Sequence, residues 1–157
     1  MKKFILIAAM FLAGAAGFSG CGSAQKAKIY PPGDFRDNGN GTVTDNNTGL
    51  MWQQEDDDTR RNINEAAAYC ETLSHGGYSD WRLPDLNELK SIKDLNQSNP
   101  SIDSTVFPNT NPSIYWSSYI DHERDPTSAW YVNFYNGIPN RMKKSSSHYV
   151  RCVRGGQ

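Results

Sequence analysis

A chain of 157 residues with a formal net charge of -1 and 37% hydrophobic residues has room for one folded domain plus appendages. The near-neutral charge excludes the basic excess of a nucleic-acid binder, and the apolar share is too high for a disordered chain. The charges are unevenly placed. Glu55-Asp56-Asp57-Asp58 is an acidic run, while Arg141, Lys143, Lys144, Arg151 and Arg154 lie in a C-terminal stretch without an acid, and both read as solvated surface.

Met1-Lys2-Lys3 is a short positive start, and Phe4 to Ala16 then runs apolar and uncharged, too short for a membrane span. Residues 1–20 therefore read as a signal peptide. Phe18-Ser19-Gly20-Cys21 sets small residues directly before a cysteine and resembles a bacterial lipobox, with Phe18 standing where an aliphatic residue is usual. Lipidation of the Cys21 sulfur is the expectation; ordinary cleavage near Ala15, leaving a free thiol, is the alternative. Residues 21–33, with Lys26, Lys28, Pro31 and Pro32, read as the lipidated cysteine and its tether. Gly22-Ser23 follow the cysteine and no Asp does, which points to an outer-membrane or cell-surface location, with the periplasm as the other possibility. Cys70 and Cys152 remain, and an exported domain should oxidise them where geometry permits. Closing so long a loop is worth roughly 4–5 kcal/mol in the chain-entropy model. Two separate buried thiols are the competing reading.

The folded body is expected over residues 34–155. Phe35 to Asp45 reads as two extended pieces around an Asn/Gly turn, and Asn46-Asn47-Thr48-Gly49 turns into a strand at Leu50-Met51-Trp52. A calcium loop does not fit here: counting from Asp37, the alternate positions Gly39 and Gly41 bring no side-chain oxygen. Asn62 to Leu73 is the clearest helix. Asn62 and Glu65 form a capping box, Ile63, Ala66, Ala67, Cys70 and Leu73 make one apolar stripe, and Gly76-Gly77 stops it. After Trp81-Arg82-Leu83-Pro84, Asp85 and Glu88 cap a second helix that buries Leu86, Leu89 and Ile92. A salt bridge of Asp80 with Arg82 would hold the Trp81 turn. Asn96 to Pro112 reads as an ordered loop with Val106-Phe107 tucked in. Tyr115 to Ser118 is a strand, and Ala129 to Phe134 is another, alternating Trp130, Val132 and Phe134 against Tyr131 and Asn133. Asn136-Gly137 turns the chain back into a basic, serine-rich loop, and Tyr149 to Arg154 closes the fold with Val150 and Cys152 on one face.

Asp37-Asn38-Gly39, Gly41-Thr42-Val43-Thr44-Asp45, Thr48-Gly49-Leu50-Met51-Trp52, Gly77-Tyr78-Ser79-Asp80-Trp81-Arg82-Leu83-Pro84, Tyr115-Trp116-Ser117-Ser118 and Tyr149-Val150-Arg151-Cys152-Val153-Arg154 stand in one order along the chain. In that order they resemble the Lcl C-terminal domain family of bacterial exported proteins. Trp81-Arg82-Leu83-Pro84 with Glu88, and the closing segment, also resemble parts of formylglycine-generating enzymes, which share a fold with C-type lectins. The resemblance implies an α+β, compact C-type-lectin-like fold with two helices, short antiparallel strands, long loops and adjacent termini. It also implies a Cys70–Cys152 bridge from the first helix to the last strand.

Three functions follow as expectations. The first is an envelope-anchored binding or adhesion module without catalysis or cofactor, because the family's namesake is an adhesin that binds sulfated polysaccharides. Arg141, Lys143 and Lys144, with His148, are the candidate contacts for an acidic or sulfated glycan. This chain has no collagen-like repeats, so the namesake's trimeric stalk is missing. The second is a structural subunit of an envelope complex, with Trp52, Trp81, Trp116, Trp130, Tyr115 and Tyr131 as interface candidates, although most should be core. The third is a formylglycine-generating type of enzyme, which needs two reactive cysteines near the C-terminus where only Cys152 lies. His75, His122 and His148 accompany no nucleophile motif. Calcium-dependent sugar binding is not expected, since Ile138-Pro139-Asn140 lacks the first oxygen ligand of the lectin triplet.

Overall fold

The computed structural model describes residues 33–122 and 124–155, so the expected signal peptide, Cys21 and the tether through Pro32 lie outside the described residues. The first strand, β1 (Phe35–Asp37), meets β2 (Thr42–Asp45) with Phe35 opposite Asp45 and Asp37 opposite Val43. Gly39 and Gly41, at φ of +72° and +79°, supply the left-handed positions this turn requires. The Asp45 carboxylate organises the next turn, accepting from the Asn47 N–H at 2.9 Å and from Thr48 Oγ1 at 2.8 Å, before β3 (Met51–Gln53). The two helices begin where the local signals place them. In α1 (Ile63–Thr72) the Asn62 oxygen accepts from Asn64 and Glu65 N–H, while Glu65 reaches back to the Asn62 N–H at 3.0 Å. In α2 (Leu86–Ser91) Asp85 and Glu88 form the same reciprocal pair.

Three later strands, β4 (Ile114–Trp116), β5 (Ser128–Asn133) and β6 (Ile138–Lys143), form a second antiparallel sheet in that order. The short β7 (Val153–Arg154) completes the first sheet as β1-β2-β3-β7. The expected closing strand is therefore split. Tyr149 bridges to Tyr115 beside the second sheet, Cys152 O accepts from the Gln53 N–H at 3.0 Å, and only Val153–Arg154 pairs as a strand in the first sheet. One segment thus ties both sheets together. Arg36, Thr44, Met51 and Arg154 lie in register across the first sheet, which puts the ends of the body about 14 Å apart, three inter-strand spacings.

Two apolar clusters fill the molecule. One gathers Val43, Trp52, Leu89, Ile92, Ile102, Phe107, Tyr115, Val132 and Phe134; the other holds Ile63, Ala66, Trp81, Trp116, Ala129, Val150 and the two cysteines. The Cys70 and Cys152 sulfurs are bonded, with Cα atoms 5.6 Å apart across a separation of 82 residues. Burial of Phe107 and partial burial of Val106 match the expected tuck of the long loop. The alternation expected along β5 does not hold, because both faces of this central strand are covered: Tyr131 as well as Val132 is buried, and Trp130 is only partly so. Phe134 lies beyond the strand, in the turn.

The charge runs are the larger correction. Arg151 is completely buried and Asp56 nearly so, their side chains 0% and 3% exposed and 3.4 Å apart. Arg151 donates to the carbonyls of Gln53 and Gln54 and to Thr110 Oγ1, while Tyr115 Oη donates to Asp56 at 2.6 Å. Every member of the acidic run has a partner. Glu55 accepts from Asn109, Asp58 from Asn111, and Asp57 takes both arms of Arg61. The run is a clamp on the 109–111 loop. Asp80 and Arg82 do not pair with each other: Asp80 grips Arg154, Arg82 forks onto Glu88, and the Trp81 turn is held by its indole N–H donating to His75 O and Tyr78 O.

Candidate functional site

Arg141 and Lys143 belong to an edge strand rather than to a loop. β6 survives at the sheet edge despite Pro139, because an edge tolerates a missing N–H. Side chains alternate along a strand, so Arg141 and Lys143 share one face and Met142 takes the other. The register sets Trp130 opposite Arg141 and Ser128 opposite Lys143. Trp130 is partly exposed, and the ring of Tyr119, 48% exposed, lies 6.2 Å from it at 47°. The result is a small face of two cations beside two aromatic rings.

The two cations are held differently. Lys143 Nζ donates to Thr127 Oγ1 at 2.7 Å. Next to it, Asp125 has its carboxyl pulled down to about 2, mainly by the Thr127 and Ser128 hydroxyls, with the Lys143 charge contributing last. Lys143 is thus steered and partly balanced. The Arg141 guanidinium has no hydrogen-bond or ion-pair partner among the described residues; only its backbone N–H is engaged, by Asn140 Oδ1 at 2.8 Å.

Lys144 and His148 stand apart from this pair. Lys144 is half-buried, and its backbone joins neighbouring elements, with its N–H donating to Thr127 O and its carbonyl accepting from Ile63 N–H. His148 lies on the Met142 side of β6, its Nε2 2.9 Å from Met142 Sδ and its ring 5.0 Å from Trp116, edge to face. Burial, helped by the nearby Arg60 charge, pushes its imidazole below the ordinary histidine range. Arg141 and Lys143 therefore share one face of the sheet, His148 lies on the other, and Lys144 follows just past the strand.

Trp130 and Tyr119 are the members that sequence reading placed elsewhere or passed over. The hairpin alone does not reveal the pairing, since counting back from Asn136-Gly137 as a two-residue turn sets Trp130 against Lys143 rather than Arg141. Among the described residues no group of three or more His, Cys, Asp or Glu is placed to hold a metal. Comparison with curated proteins finds no match. A family model does match: that of the Lcl C-terminal domain covers residues 41–154, from the first hairpin turn to the last strand, and the chain belongs to that family.

Proposed function

We propose that this domain is a non-catalytic binding module, exported and displayed at the cell envelope through lipid on Cys21, and that it takes acidic polysaccharide on the Arg141–Lys143 face. The observation that carries the reading is the Arg141 guanidinium, without a protein partner among the described residues and opposite the partly exposed Trp130. A guanidinium fork suits sulfate or carboxylate, and the indole with Tyr119 offers a flat surface for the apolar side of a sugar ring. Lys143, aimed by Thr127, adds a second charge one strand repeat away.

The non-catalytic part is supported by the disulfide: Cys70 and Cys152 are both bonded, so neither is the free thiol that formylglycine-type chemistry requires. We read the architecture as C-type-lectin-like. What supports this is the bridge from the first helix to the residue preceding the last strand, with both ends of the body in one sheet.

The test is retention of the folded chain on a sulfated-polysaccharide column under a salt gradient, with Arg141→Ala/Lys143→Ala beside it. Loss of both cations should weaken binding about tenfold or more, as charge-assisted bonds do, and bring elution to lower salt. Elution of the double variant together with the unmodified chain removes this face from the case.

A further inference from the structure

Three Asn-x-Ser/Thr triplets without an intervening proline occur in the chain: Asn40-Gly41-Thr42, Asn46-Asn47-Thr48 and Asn96-Gln97-Ser98. In an exported protein this pattern is a glycan acceptor when it lies on an accessible loop. The fold separates the three. Asn40 Nδ2, the nitrogen that would react, donates to Gly76 O at 2.8 Å, and Thr42 is completely buried with its hydroxyl on Asn40 Oδ1 at 2.6 Å. Thr48 is held in its turn, donating to Asp45 Oδ2 at 2.8 Å and accepting from Leu50 N–H at 3.2 Å. Asn96, Gln97 and Ser98 are all exposed, and the Asn96 side chain reaches no farther than Asp94, two residues before it in the same loop.

The loop around Asn96 presents its tip to solvent. Its neck is the Asp94 N–H to Ser101 O bond at 3.1 Å; from Asp94 through Ser98 the contacts are local, Asn96 N–H to Asp94 Oδ1 at 2.8 Å and Gln97 Nε2 to Asp94 Oδ2 at 2.9 Å, and just beyond, Asn99 N–H donates to Tyr135 O at 3.0 Å and ties the loop to the β5–β6 turn. The tip from Leu95 to Ser98, which lies between those ties, can enter an enzyme's cleft without disturbing either sheet. It also ends beside a group of exposed apolar side chains. Leu95 is 79% exposed and reaches the β5–β6 turn at Gly137, flanked by Tyr135 and Ile138 at 55% and 56%. Bare apolar groups gathered at one end of an exported domain call for a cover, and a glycan on Asn96 would lie over them.

We propose that Asn96 is an acceptor for a preassembled oligosaccharide, an inference that rests on the reading that the chain is exported. The donor is an oligosaccharide carried on a polyprenyl diphosphate, and the catalyst is a membrane transferase of the exported compartment. Asn96 Nδ2 forms a bond to C1 of the reducing-end sugar as the C1–O bond to the diphosphate breaks. The electron pair leaves with the lipid diphosphate, and the amide nitrogen gives one proton to a base of the transferase. No oxidation or reduction occurs.

The experiment is mass spectrometry of the chain purified from membranes of its native cells, reading both the N-terminus and the tryptic peptide from Asp94 to Arg124. The expected result is a processed N-terminus and a glycan mass on that peptide, lost in Asn96→Gln and Ser98→Ala and retained in Asn40→Gln and Asn46→Gln. A processed N-terminus with an unmodified Asp94–Arg124 peptide overturns this proposal alone. An intact leader overturns the export reading, and this proposal with it.

Discussion

Replacing Asp56 by alanine should be among the most damaging single changes in this domain, although it removes a carboxylate from what looks like a surface acidic run. Arg151 is fully buried, and among the described residues Asp56 is the only anion within ion-pair distance of it. Taking one partner from a buried pair leaves the other charge uncompensated, at a cost of about 3–5 kcal/mol. The Tyr115 hydroxyl also loses its acceptor at 2.6 Å, adding about 1 kcal/mol. The total, about 4–6 kcal/mol, is a large share of the 5–15 kcal/mol that ordinarily holds a domain of this kind. With an m-value of about 2 kcal/mol/M the urea midpoint should fall by roughly 2–3 M, followed by fluorescence of the four tryptophans with the disulfide intact. The double variant Asp56→Ala/Arg151→Met removes the stranded charge and should be less destabilised than the two single losses added together. A single-variant loss below about 1 kcal/mol, or strict additivity in the double, would refute the claim that these two charges depend on each other.

The remaining expectations concern the bridge, a cap and a carboxylate. Cys70→Ala/Cys152→Ala should cost up to about 4.5 kcal/mol, since the bridge closes a separation of 82 residues, and thermal melts with and without reductant should differ only for the unmodified chain. Asn62→Ala removes the acceptor for two helix N–H groups and should cost about 1 kcal/mol in equilibrium unfolding, whereas Asn64→Ala, two residues on and exposed, should be near neutral. Burial by itself would raise the Glu88 carboxyl, but the Arg82 fork and the Asp85 N–H together hold it below the ordinary carboxylate range. Its stabilising contribution is therefore complete above that range and is lost as the pH falls through the folded-state value. Glu88→Gln should flatten that part of the acid-unfolding profile, and an unchanged profile would exclude the fork as its source.

What could be read in the residues was what is decided locally. Asn62 with Glu65 and Asp85 with Glu88 are each three positions apart, and both caps form as the spacing dictates. The Cys70–Cys152 pairing was legible for a different reason, the small number of cysteines in the chain. The buried charges were not legible. Asp56 and Arg151 lie 95 positions apart, and a charge run carries no mark of which member will be drawn inward. Composition placed them at the surface because most charges belong there; the fold brings them together because Gln53 and Gln54 carbonyls and Thr110 supply further acceptors for the same guanidinium.

The candidate face shows the same limit in one turn. An Asn-Gly pair between strands ordinarily signals a two-residue hairpin, which here would set Tyr135 against Ile138 and, counting back, Trp130 against Lys143. The chain instead closes a four-residue loop, 134–137: Gly137 N–H donates to Asn133 O at 2.7 Å, Tyr135 N–H to Asn133 Oδ1 at 3.0 Å, and Asn133 pairs with Ile138. Phe134 decides between the two. It is wholly buried against Tyr115, ring centroids 5.2 Å apart, and drawing it inward takes it out of the ladder. The register moves by two residues as a result, and a shift of two keeps every side chain on its own face while changing its neighbour. Arg141, rather than Lys143, comes to lie against Trp130, and Lys143 is passed to Thr127 and the edge of Asp125. A buried phenylalanine at the tip of a hairpin thus selects which cation stands beside the indole without a partner among the described residues.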